Sequence, residues 1–467
     1  MSQALFYGIF AFQWLIYIWE TYLSWRQYRV HLLTEKRPKN AEKIMEESEY
    51  TKARLYKLDK HRFEFCQSAF SHILNCLILW YEILPLMWNI SGDVNKKIGI
   101  TSEMGQSLMF QTINSLLTFV TALPFSYYDT FIIEQKHGFN KQTLPFFIKD
   151  KIKGLVVGLV IMIPVIAAVI WIVENSGEYL FVYAWIFVSI IVFLLMTIYP
   201  EFIAPLFDKY TPLPDGELKT KIENLAKSVS YPLTKLYVVQ GSKRSSHSNA
   251  YMYGFWKNKR IVLFDTLLSA EENEKLKAIL AEENKDKKKE GTEEDTLKEE
   301  EEEDKDRKNK GMTNDEVVAV LGHELGHWAL MHTVINLIVM EVNLFFLFFV
   351  FAYFYRWSAI YEAFGFSTQP TIIGLIVVFQ FITAPYNELV EFLMIWYTRK
   401  MEFQADEYSF NLGYGDLLCT SLIKLGKDNL SLPVDDPLYA SFHHSHPSII
   451  HRIERINLLK DKGKKSD

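Results

Sequence analysis

The stretch GLVVGLVIMIPVIAAVIWIV at 154–173, twenty residues without a charge, narrows most what this chain can fold into. A bilayer core takes about 20 mostly apolar residues per helical span. Six further blocks approach that standard: 4–25, 63–90, 107–131, 179–206, 328–354 and 371–397. Any one of them could be a buried core helix, but seven in one chain point to membrane spans. Pro164 is tolerable in a membrane helix if neighbours satisfy the carbonyl it frees. Glu388 and Glu391 interrupt the last block. They would be costly facing lipid, so they should face the interior.

The loops test this reading independently. Segment 26–62 carries eleven Lys/Arg, and 132–153 carries Lys136, Lys141, Lys149, Lys151 and Lys153. Connection 91–106 has only Lys96 and Lys97, 174–178 has none, and 355–370 has only Arg356. Basic-rich and basic-poor loops alternate as seven spans require, which puts the N-terminus in the lumen and the C-terminus in the cytosol. The first span lacks a basic n-region and a small-residue cleavage site, so it reads as an anchor.

With 49% hydrophobic and 23% charged residues the overall composition would suit a soluble protein, but here the two classes are segregated. The net charge of -6 comes mostly from the acidic stretch 281–310, which shows no apolar periodicity and is expected to be a disordered insertion without chemistry. Cys66, Cys76 and Cys419 have neither metal nor disulfide spacing. The chain therefore divides into helices one to five with their loops (1–206), a cytosolic segment (207–327), helices six and seven (328–397) and a cytosolic C-terminal part (398–467). In the first cytosolic segment, 236–239, 248–255 and 260–264 look like short strands, the last two joined as a hairpin through Trp256–Lys259.

Residues 314–328, NDEVVAVLGHELGHW, open like a helix, with Asn314 a candidate N-cap and Glu316 in the first turn. His323 and His327 lie one turn apart on one face, so both imidazoles can reach one tetrahedral zinc ion. Glu324 is next to the first of them, where its carboxylate can take a proton from water activated by the metal. A bare HExxH alone is only suggestive. Here it is set among Leu321, Gly322, Leu325 and Gly326 at a membrane boundary.

A catalytic zinc usually has three protein ligands. Glu402 follows the seventh span directly and is the leading candidate, with Asp406 one turn on as an orienting partner for a ligand imidazole. An ordinary surface carboxylate is an equal reading of Glu402 from the residues alone. His443, His444 and His446 are rival ligands, as is His332, which reads as a boundary histidine on another side of the helix.

HELGHW at 323–328, EFQAD at 402–406, SKRSSHSNAY at 242–251 and SHP at 445–447 together resemble the zinc-dependent CAAX prenyl proteases. The likeness extends through 128–147 and 203–214. It implies an all-α polytopic membrane protein whose seven transmembrane helices enclose a chamber, closed by a cytosolic α+β zinc metalloprotease domain. It also implies one Zn2+ per chain held by His323, His327 and Glu402, with Glu324 as base, Asp406 behind the ligands and His446 stabilising the oxyanion. Asn249, Ala250 and Tyr251 would form an edge strand for substrate backbone, although the residues alone slightly favour a purely structural hairpin. The partners implied are membrane lipid and a prenylated (farnesylated) CAAX protein or peptide losing three residues, with no nucleic acid.

Lys464-Lys465-Ser466-Asp467 resembles an endoplasmic-reticulum retrieval signal, so that membrane is the expected location, with the inner nuclear membrane as a further one. A broader quality-control protease of membrane proteins would carry the same zinc site. A pure scaffold would not need a base at Glu324.

Overall fold

The computed structural model describes residues 2–254, 257–289 and 311–463, with side chains left aside at 282–289 and 463. Helices dominate. On the N-terminal side they are α1 (Ser2–Leu33), α2 (Glu47–Trp80), α3 (Ile83–Lys97), α4 (Glu103–Tyr128), α5 (Leu144–Asn175), α6 (Leu180–Ile198) and the short α7 (Ala204–Phe207). Next comes a mixed region of β1 (Tyr210–Pro212), α8 (Glu217–Ser228), β2 (Leu233–Val239), β3 (Ala250–Tyr253), β4 (Lys259–Phe264) and α9 (Ala270–Lys289). The rest is helical: α10 (Asn314–Ala329), α11 (His332–Phe354), α12 (Ser358–Glu362), α13 (Thr371–Val377), α14 (Ala384–Ser409), α15 (Gly415–Asp428), α16 (Pro437–His443) and α17 (Ile449–Gly463).

Four helical stretches among the described residues are long and apolar enough to cross a membrane unbroken: Glu103–Glu134, Leu144–Asn175, Gly177–Phe207 and His332–Phe354. Large apolar side chains such as Val156, Val160, Ile190 and Phe193 point outward from them, as lipid-facing residues do. The expected spans 63–90 and 371–397 are not single helices. The first bends by 71° between α2 and α3 and the second by 55° at Thr383. Pro85 and Pro385 give the physical reason, since a proline ring clashes with the carbonyl four residues back and supplies no N–H. Those carbonyls belong to Tyr81 and Phe381, and at the first break Glu82 also takes a left-handed conformation (φ 51°). Proline alone does not decide the matter, because Pro124 and Pro164 sit inside unbroken helices. The first expected span lies within α1, which is long but not among the four on composition. Glu388 and Glu391 are both exposed among the described residues.

The four strands form one sheet in the order β1-β2-β4-β3, with β2 and β4 parallel and β3 antiparallel to β4 at the edge. The expected antiparallel pairing of β3 with β4 is present, with residues 255–256 of their connection outside the described residues. The parallel pair and β1 were not read from the sequence. Below the sheet, Leu218, Ile222, Val238, Ile261 and Leu263 pack with Val317 and Leu321 of α10 in one core. A separate apolar core on the membrane side joins Phe110, Ile170, Leu180, Phe351 and Ile373.

Helix α9 runs to Lys289, so the first nine residues of the stretch expected to be disordered are helical. The remainder of that stretch, 290–310, lies outside the described residues, as do Trp256 and the dilysine tail at 464–467.

Candidate metal centre

Helix α10 is capped by Thr313 and not by Asn314, which is its first residue. Thr313 Oγ1 accepts from the Glu316 N–H (3.3 Å), and the Thr313 N–H donates to Glu316 Oε2 (2.8 Å). This reciprocal capping box satisfies two donors that a helix start leaves free. Lys424 of α15 donates to the same Glu316 carboxylate at 2.6 Å. Ser409 and Ser421 donate their hydroxyls to the Ala319 and Glu316 carbonyls of α10 (3.1 and 3.0 Å), tying α14 and α15 to it.

The result is that His323 and His327 of α10 face Glu402 of α14. The two Nε2 atoms are 3.2 Å apart; His327 Nε2 is 3.2 Å from Glu402 Oε1 and His323 Nε2 is 3.4 Å from Glu402 Oε2. With metal–ligand bonds near 2.1 Å, two vertices of a tetrahedron lie about 3.4 Å apart, so these separations suit one zinc ion. Glu402 Oε2 is buried without a hydrogen-bond donor, which leaves a lone pair for a cation. Among the described residues this is the group of His, Cys, Asp and Glu able to hold a metal.

Behind His323, Asp406 Oδ1 accepts from its Nδ1 at 2.9 Å, leaving Nε2 free for a metal. Arg452 of α17 grips the same carboxylate with two donors, at 2.9 and 2.6 Å. All three are nearly fully buried, so their charges must neutralise one another. Burial works against the ionised carboxylates. The facing His323 and His327 rings nevertheless hold Glu402 far below the usual carboxylate range, and hydrogen bonds from His323 and Arg452 lower Asp406. Burial and the Arg452 charge push the His323 ring down, but Asp406 and Glu402 outweigh them and leave it at about 9. Such a concentration of negative charge on two imidazoles favours a dication.

Glu324 is half-buried beside His323, within electrostatic reach of Arg452. His446 lies on the rim, with Nε2 3.4 Å from Glu402 Oε1 and its side chain 64% exposed. Ala250 is buried in the core shared with α10, and β3 packs directly on that helix. Asn249 is exposed, its carbonyl taken by the Phe264 N–H (3.0 Å), and the Tyr251 hydroxyl meets that of Tyr210 at 2.9 Å. Among the described residues no strand pairs with the outer edge of β3.

Two of the four rival ligands sit elsewhere: His443 pairs with Glu20 (3.1 Å) and His444 with Asp435 (3.7 Å). Arg452, which the sequence reading missed, and His332, which it placed on another side of the helix, both lie at the site. Arg452 could have been suspected only as a cation near SHP on an amphipathic helix. His332 was read as pointing away, yet its Nδ1 is 2.9 Å from His327 Nδ1.

The fold and the site define a helical membrane metallopeptidase of the HExxH type. Residues 27–209 match the family described as CAAX prenyl protease N-terminal, five membrane helices, and residues 212–284 and 295–460 match peptidase family M48. The chain is 49% identical over 463 residues to the CAAX prenyl protease 1 homolog of Caenorhabditis elegans, covering 99% of this chain and 100% of that one. It is 46% identical over 462 residues to the Homo sapiens homolog, covering 98% and 96%. The crystal structure of S. mikatae Ste24p superposes with a TM-score of 0.82 at 33% identity, over 96% of this chain and 97% of that one. This chain belongs to peptidase family M48, among the CAAX prenyl proteases.

Proposed function

We infer that this chain is an integral-membrane zinc endopeptidase that removes the three C-terminal residues of prenylated CAAX proteins. The observation that carries the reading is the meeting of His323, His327 and Glu402 at donor separations of 3.2–3.4 Å. That group sits in a chain alignable end to end with CAAX prenyl proteases.

His323, His327 and Glu402 would hold one zinc ion per chain, which would supply a Lewis acid and lower the pKa of a water at the site toward about 7. Glu324 takes the proton from the attacking water. His446, exposed at the rim, donates to the oxyanion that develops on the scissile carbonyl. Asn249, Ala250 and Tyr251 offer the outer edge of β3 to the substrate backbone, which joins the sheet as an added strand. Asp406 and Arg452 hold His323 in the tautomer that presents Nε2.

The membrane part has seven spans around a chamber: the four unbroken helices, the two bent pairs and α1. The alternation of basic loops supports a luminal N-terminus and a cytosolic C-terminus, with 207–327 and 398–467 completing the protease domain on the cytosolic side. The endoplasmic-reticulum membrane is the location proposed, and prenylated CAAX protein is the partner.

The test is cleavage of prenylated and unprenylated peptides of one sequence by purified full-length chain, with zinc measured on the same preparation. Release of a C-terminal tripeptide from the prenylated peptide alone is expected. Equal cleavage of both would make this a broader membrane-protein protease.

A further inference from the structure

An unbroken helix would carry His332, five residues after His327, to another side of the axis. The backbone does not run unbroken there. Helix α10 ends at Ala329, Met331 takes a left-handed conformation (φ 58°), and α11 begins at His332. A non-glycine residue in that region is sterically disfavoured and persists only where its surroundings hold it, often beside a functional group.

The reversal brings His332 back onto the metal group. Its Nδ1 is 2.9 Å from His327 Nδ1, with the rings 5.1 Å apart and inclined at 69°. The residue is 4% exposed, and the Gln404 carboxamide lies against its ring. Gln404 follows Glu402 by two positions on α14.

His327 turns Nε2 toward both His323 and Glu402, so its ring proton must sit on Nδ1 if Nε2 is to bind a metal. A ring N–H in so enclosed a place needs an acceptor. His332 Nδ1 is in position to be that acceptor, which puts the proton of His332 on Nε2, the nitrogen left to face an amide oxygen.

We propose that His332 is the positioning residue of the second histidine. It accepts the Nδ1–H of His327, fixes the tautomer with its lone pair on Nε2 and, through Gln404, couples that ring to the helix carrying Glu402. This rests on the reading of His323, His327 and Glu402 as zinc ligands. The two histidines are then held differently: His323 by an anion locked to Arg452, His327 by a neutral ring.

The experiment compares wild type with His332→Phe, which keeps a ring but no acceptor, and His332→Asn, whose Oδ1 stands where Nδ1 was. On purified full-length protein, zinc affinity is measured by chelator competition, the visible spectrum after cobalt(II) substitution, and Tm with and without zinc. His332→Phe should weaken zinc by about 10–100-fold, the usual effect of losing an orienting partner, and shift the cobalt bands. His332→Asn should recover most of the affinity. The zinc-dependent rise in Tm, not Tm itself, separates positioning from folding. Gln404→Leu, which leaves the His332 ring in place, should weaken zinc in the same direction. Wild-type affinity and spectrum in His332→Phe would overturn the proposal, as would an Asn variant as weak as the Phe one. Glu402→Ala run alongside distinguishes the two readings: if it retains zinc, the ligand set itself is wrong, and if it alone loses zinc, only the role of His332 falls.

Discussion

Gly326 of α10 lies so close to Ala405 of α14 that a β-carbon on it would stand 3.0 Å from the Ala405 Cα and 3.1 Å from its carbonyl oxygen. Those neighbours are backbone and cannot swing aside. One turn earlier, a β-carbon at Gly322 would meet Ser409 Oγ at 2.9 Å. The two glycines of LGHELGH let the two helices touch, and this contact brings both histidines within 3.4 Å of Glu402.

Gly326→Val should therefore force the helices apart. Overpacking typically costs about 1–3 kcal/mol, and a ligand displaced by a few tenths of an ångström holds zinc poorly. The expected result is a lower Tm together with lost zinc, with Gly326→Ala intermediate. Thermal melts and elemental analysis would check it. Normal zinc in the Val variant would show that the close approach is not what assembles the site.

Glu402→Ala should lose zinc and activity together, because two imidazoles without a carboxylate hold the ion weakly. Exhaustive chelation of wild type should reproduce the loss, and added zinc should restore wild type but not the variant. Full zinc occupancy in Glu402→Ala would return attention to His446, the nearest remaining histidine on the rim.

Glu324→Gln should separate chemistry from metal binding. The side chain keeps its shape and is not among the three converging donors, so zinc and prenylated-peptide affinity should stay normal. Loss of a general base typically costs roughly 10²–10⁴-fold in rate. Single-turnover cleavage on zinc-replete protein is the measurement. Unchanged cleavage would remove Glu324 from the mechanism.

Arg452→Ala should cost more than an ordinary surface change, because it leaves Asp406 buried (1% exposed) without its cation. Breaking such a pair typically costs about 3–5 kcal/mol. His323 would lose its fixed partner, so zinc affinity should fall with stability. Arg452→Lys restores a charge but not the two-pronged grip and should recover only part. A variant with unchanged Tm and zinc affinity would show that the pair adds nothing.

Most of the helical architecture was legible because its signals are local. A run of apolar residues long enough to cross a bilayer declares itself within 20 residues or so. Two histidines four apart share a helix face whatever surrounds them. The hairpin of β3 and β4 was legible from alternation and a turn. The bends at Glu82 and Thr383 were not, because Pro124 and Pro164 carry the same local signal inside unbroken helices. A proline ring is thus not by itself enough to place a break.

By itself the amino-acid sequence determined the apolar blocks, the HExxH face of α10 and the carboxylate candidates at 402 and 406, each a property of residues within a turn or two of one another. Only the tertiary structure decided which distant groups complete the site. Asp406 is 83 residues from His323, and Arg452 is 129 residues away. No spacing rule links them, because they meet through the packing of α10, α14 and α17. His332 is near in sequence but was misplaced for the same reason. A single left-handed residue, Met331, reverses the side it faces, and a conformation that local sterics disfavour is held by the fold around it.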